Sequence, residues 1–146
     1  GVKGEVPAGE HIVPLGRANV IREGKDVTIV SYSKCVYDAI HAAEALENEG
    51  IDAEVIDLRT LNPLDTTTVI NSVKKTGKAI VVYEGWRTGG AGAEIAAQIY
   101  EFGFDYLDAP VERVATLDTP IPYNAKMVKA ALPSPSQIVK VAQRLM

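Results

Sequence analysis

Short β-branched runs alternate with amphipathic segments of about three turns, and this alternation restricts the chain more than any other feature. Val27-Thr28-Ile29-Val30-Ser31-Tyr32 lies between Gly24 and Ser33 and predicts a strand buried on both faces. Cys35 to Glu49 then places Val36, Ala39, Ile40, Ala43 and Leu46 at helical spacing, with Gly50 as the stop. Ala53 to Leu58 predicts the next strand, and Asp65 caps a helix carrying Val69, Ile70 and Val73 that Gly77 closes. Ala79 to Tyr83 is the most hydrophobic strand. Beyond the Gly85–Gly92 loop comes a helix with Ile95, Ile99 and Phe102 directed inward. Val111 to Ala115 predicts a fourth strand. After the proline-rich stretch Asp118–Tyr123, Ser134-Pro135 opens a last helix with Ile138, Val141 and Leu145 inward. Strand–helix alternation of this kind requires a mostly parallel sheet covered by helices on both faces.

The 146 residues suit one domain, and 47% apolar with 23% charged residues is a globular balance. Residues 1–25 lack periodicity and predict an extended arm, a linker from a preceding domain, with residues 26–146 as the folded unit. A start at Gly1 in place of Met fits a domain taken from a longer chain. The net charge of −4 argues against nucleic acid, and no apolar run is long enough for a bilayer. One cysteine and no signal or transit segment predict a reducing compartment, the cytoplasm or, in a eukaryote, the mitochondrial matrix.

The Gly85–Gly92 loop follows a strand and opens a helix, as a phosphate-binding turn does. Gly90-Ala91-Gly92-Ala93-Glu94-Ile95 lacks the final Gly or Ala of the dinucleotide fingerprint, and Glu94 would repel an anion. The favoured reading is glycines that let helix and strand pack closely. His11 falls in the arm and His41 on a polar helix face, so neither serves as a base. Cys35 opens a helix, where its thiol could be acidified, but a small buried residue is the favoured reading. No metal-ligand spacing is present. Glu94, Glu101 and Asp105 recur on one helix face, either solvated or an acidic docking face. Trp86 and Arg87 sit at a loop tip and are either interface anchors or local packing over the sheet.

The order of motifs resembles a known family. Pro14-Leu15-Gly16-Arg17-Ala18, Arg22 to Val30, and above all Glu54-Val55-Ile56-Asp57-Leu58-Arg59-Thr60-Leu61-Asn62-Pro63-Leu64-Asp65 carry the likeness. Ser72 to Gly77, Gly89 to Ile95, Ala109 to Val114, Asp118 to Tyr123 and Leu132 to Pro135 extend it along the chain. The sequence is similar to the C-terminal domain of beta subunits of thiamine-dependent 2-oxo acid dehydrogenases. That resemblance implies a transketolase-like three-layer α/β/α fold with a five-stranded, mainly parallel sheet and one edge strand reversed. It implies a parent enzyme that decarboxylates a 2-oxo acid on thiamine diphosphate with magnesium and passes the acyl group to lipoyl. Cofactor and catalytic histidine would lie outside this stretch, leaving no catalytic, cofactor or metal residue here. The implied partners are the alpha subunit, a second beta subunit and the acyltransferase's peripheral subunit-binding domain. Docking would fall to Asp108 and the C-terminal carboxylate, here on Met146, and the acidic balance suits a basic module. The chain departs from the family at Ser33, where glycine is usual and where Ser is expected to cap the helix. Two other readings stay open: a freestanding flavodoxin-like ligand-binding domain, and the corresponding domain of another thiamine enzyme such as transketolase.

Overall fold

The computed structural model describes residues 4–146; Gly1–Lys3, the start of the stretch read as an arm, lie outside the described residues. The strand read from Val27 is β2 (Val27–Ser31), and all five of its residues are buried. It sits at the centre of a five-stranded sheet ordered β1-β3-β2-β4-β5, with β1 Asn19–Arg22, β3 Ala53–Asp57, β4 Ala79–Trp86 and β5 Glu112–Thr116. β2 runs parallel to both β3 and β4, and β4 runs parallel to β5. β1 pairs antiparallel with β3 and supplies the reversed edge that the resemblance implied. It falls inside the stretch 1–25, so four of those residues complete the sheet.

Helices cover both faces, because every central strand is apolar on both. On one side α1 (Cys35–Glu47) and α5 (Pro135–Leu145) pack against Val27, Ile29, Val55, Ile80 and Val82. On the other, α2 (Thr66–Thr76) and α3 (Ala91–Gly103) pack against Val30, Ile56, Val81 and Tyr83. Asp65 caps α2 as its sequence position predicts, accepting from the Thr68 amide at 3.1 Å. Its other carboxylate oxygen accepts from the Ala18 amide at 3.0 Å, which fixes the chain leading into β1 to the start of α2. Gly77 ends α2 with φ +67°.

Three expectations change. Ser33 does not cap α1: Lys34 occupies that position with no side-chain bond, and Ser33 holds a left-handed backbone at φ +58°. A residue without a Cβ suits such a φ, which accounts for the glycine usual in the family. Phe102 is 55% exposed, because α3 turns it away from the sheet, and buried Gly103 faces Ile70 and Val73 in its place. The stretch after Tyr123 contains a further helix, α4 (Ala125–Ala131), whose cap is Asn124; its side chain accepts from the Lys126 amide at 3.0 Å.

Candidate functional site

Parallel α/β sheets bind ligands beyond the carboxyl ends of their strands, at the point where the winding reverses. Here that point lies between β2 and β4. The crevice is bridged: the Lys34 ammonium, just past β2, lies 3.4 Å from the Glu84 carboxylate in β4. Cys35 beneath it is 1% exposed, and burial, reinforced by the negative charges of Glu84 and Asp38, pushes its thiol up to about 12. Burial outweighs the acidifying effect of the helix start, so the reading of Cys35 as a small packed residue holds.

The glycine-rich turn is filled from below. Tyr83 is fully buried, and a Cβ added at Gly92 would fall on its ring. A Cβ at Gly90 would meet the same ring at 2.8 Å and collide with the Trp86 carbonyl. The glycines therefore admit an aromatic ring under the N-terminus of α3. Glu94 is exposed in the first turn of that helix and opposes an anion as well.

The four residues singled out from sequence divide between opposite ends of the sheet. Trp86 and Arg87 leave the carboxyl end of β4. Trp86 is 54% exposed and its indole N–H donates to the Thr119 carbonyl at 3.2 Å. Arg87 donates to the Arg113 carbonyl at 2.6 Å, and Arg113 returns a bond to the Arg87 carbonyl at 2.8 Å. Thr88 completes the clamp through Asp118, which accepts from its amide at 3.0 Å and its hydroxyl at 2.6 Å. The hydroxyl and amide of Thr88 hold the Asp118 carboxyl below the ordinary aspartate range. The backbone around the Trp86–Arg87 pair is stapled to the segment after β5, while half the indole and the Arg87 side chain are exposed.

Asp108 and Met146 lie at the other end, where the parallel strands begin. The Asp108 amide donates to the Gly77 carbonyl at 2.8 Å, and its carboxylate covers Gly77 so closely that a Cβ there would strike it. The Asp108 side chain is exposed, and among the described residues no Lys or Arg nitrogen lies within 4 Å of it. The C-terminus of α2 adds its partial negative charge beside it. Met146 is exposed at the end of α5. Glu94, Glu101 and Asp105 are all exposed along the outer face of α3 and its extension.

Sequence reasoning missed one buried polar centre. Glu54 in β3 is fully buried; one carboxylate oxygen pairs with Lys75 of α2 and accepts from the Gly24 amide at 3.3 Å, while the other has no partner. Lys75 also bonds Glu23 at 2.7 Å, and these carboxylates, Glu23 first, raise its ammonium pKa. A glutamate between Ala53 and Val55, inside the strand, was the available signal. Among the described residues no group of three or more His, Cys, Asp or Glu side chains is placed to hold a metal.

The family described as "Transketolase, C-terminal domain" matches residues 16–138. Over 136 residues the chain is 52% identical to the pyruvate dehydrogenase E1 component subunit beta, mitochondrial, of Dictyostelium discoideum, covering 93% of this chain and 38% of that protein. It is 47% identical over 141 residues to the pyruvate dehydrogenase E1 component subunit beta of Rickettsia felis, covering 97% and 43%. The chain thus spans less than half the length of either relative. A solved structure titled "Split gene transketolase, inactive beta4 tetramer" superposes with a TM-score of 0.81 at 30% identity, over 97% of this chain and 45% of that one.

Proposed function

The chain belongs to the transketolase C-terminal domain family, and on that premise we propose that it is the assembly domain of a 2-oxo acid dehydrogenase beta subunit. In this reading residues 1–25 lead from a preceding domain, which carries the catalytic histidine and, with an alpha subunit, encloses thiamine diphosphate and magnesium. The parent enzyme decarboxylates a 2-oxo acid and transfers the acyl group to lipoyl; 52% identity to a pyruvate dehydrogenase subunit supports pyruvate. Bacterial and mitochondrial relatives fit the cytoplasm or the mitochondrial matrix.

The observation that carries the reading is the family match over residues 16–138, beside a glycine turn packed against a buried ring. Tyr83 occupies the space under the α3 N-terminus, and Lys34–Glu84 bridges the switch point. No catalytic step is assigned to the described residues. The same filling disfavours a freestanding flavodoxin-like binder. What the domain offers outward is Trp86 and Arg87 at one end and Asp108 with Met146 at the other. We assign the first pair to subunit contacts and the second to the acyltransferase's basic peripheral subunit-binding domain.

Thirty per cent identity to the split-gene transketolase favours a second reading, the equivalent domain of another thiamine enzyme. Binding to the acyltransferase module separates the two. Titrated calorimetrically with that module, Asp108→Lys is expected to weaken binding about tenfold or more, as loss and reversal of a docking charge does, with an unchanged circular dichroism spectrum. Equal affinity for the variant would remove Asp108 from the interface, and no binding by either protein would favour the second reading.

A further inference from the structure

One concavity of the domain begins beside Arg87 and runs along the edge of the sheet. It is a groove of about 980 Å³ between β5 and α5, and all seven residues from Glu112 to Asp118 line it. β5 is an edge strand, paired only with β4. Successive residues of a strand face opposite sides. A concavity touched by all five residues of β5 in a row therefore runs along the strand's outer edge, which has no neighbouring strand; just beyond it the Leu117 amide is held by the Ala131 carbonyl at 3.1 Å. Such an edge is a template for one further strand.

The charge of the groove opposes that of the molecule. Arg87, Arg113, Lys140 and Arg144 line it against Glu112 and Asp118, a surplus of two positive charges in a chain of net charge −4. Arg87 and Arg113, each bonded to the other's carbonyl, bring two guanidiniums together with donors to spare. Among the described residues neither they nor Lys140 have a carboxylate within 4 Å. Arg144 is 4.0 Å from Glu112 and two-thirds exposed, a contact worth little. Lys140 and Arg144 lie four residues apart on α5, and both are exposed.

We propose that this groove binds an extended acidic polypeptide segment that pairs with the free edge of β5 and lays its carboxylates on Arg113, Lys140 and Arg144. Backbone pairing supplies affinity and the cations supply selectivity, as in other strand-addition sites. The five residues of β5 accommodate a partner strand of about the same length, roughly 17 Å. The net negative charge of the rest of the molecule repels a long polyanion such as nucleic acid, which restricts the fit to a short segment.

The probe is a synthetic hexapeptide of alternating Glu and Val, titrated into the ¹⁵N-labelled chain at low salt. The expected result is saturable shifts of the amides between Glu112 and Asp118. Combining Lys140→Glu with Arg144→Glu is expected to weaken binding about tenfold or more. N-methylation of one of the two alternating sets of peptide nitrogens should abolish it. Asp108→Lys should leave it unchanged, which keeps this site separate from the acyltransferase reading. Equal binding of a Lys–Val peptide, an absence of shifts in β5, or indifference to both the charge reversals and N-methylation would overturn the proposal. Concentration-dependent shifts of β5 without peptide would overturn it too, by giving the edge to a second copy of the chain.

Discussion

Gly92 and Cys35 carry the residue-scale argument against ligand chemistry. At Gly92 the only missing group is a methyl, and the Tyr83 ring occupies its place. Gly92→Ala is expected to cost about 2 kcal/mol, the usual penalty for forcing a carbon into a packed core, and urea unfolding measures it. Cys35 makes a pH prediction. Its pKa rises on folding from an ordinary 9.0 to about 12, so the folded state prefers the neutral thiol. The contribution is whole below pH 9 and is lost as the pH climbs from there toward 12. Cys35→Ala should flatten that part of the stability profile, and the native wild-type thiol should resist iodoacetamide at neutral pH. The glycine turn was legible as a packing device because the fingerprint was incomplete and Glu94 stood in the wrong place. That Tyr83 was the ring being accommodated was not legible, since sequence gives a strand residue's face only once the strand's neighbours are known.

Among the elements, β3 and α2 are joined by one charge pair beside their apolar contact. Glu54 is buried with one oxygen unpartnered, and Lys75 neutralises the other. Lys75→Met removes the cation while keeping the stem, and leaves a carboxylate in an apolar strand. The expected loss is about 3 kcal/mol, read from the urea midpoint. Glu54→Gln in the same background should recover part of it; no recovery would show that the stem, not the charge, mattered. The strands β2 to β5 and helices α1, α2, α3 and α5 were legible because each carries a long apolar period or a cap such as Asp65. The four-residue β1 and seven-residue α4 were not, since neither is long enough to show a period. β1 is held by its pairing with β3 and by the Asp65 bond to Ala18, contacts between residues far apart in sequence. Phe102 was misplaced because its spacing from Ile95 and Ile99 fits the inward stripe, while the last turn of α3 has already left the sheet.

At the scale of the whole molecule the core is closed, which leaves the ends and edges of the sheet for contacts. Both apolar faces of the sheet are covered, and among the described residues no helix is long and apolar enough to cross a membrane. Titration of the chain with thiamine diphosphate and magnesium in a calorimeter is expected to give no saturable heat; micromolar binding would reverse the assembly reading. The fold class was legible from alternation alone. The division of the candidate residues between two ends of the sheet was not, because it depends on the direction each strand takes.

The order β1-β3-β2-β4-β5 has a mechanical consequence. The first strand and the last are the two outer rails of the sheet, four strand spacings or about 19 Å apart. A pull entering through the stretch before β1 and leaving through a partner on β5 would run across the sheet, along its hydrogen bonds. The central strands share that load through their parallel ladders. β1 meets it with four residues and a register that slips between Val20 and Arg22. It is the seam with the fewest paired residues, and under such tension it is expected to part first.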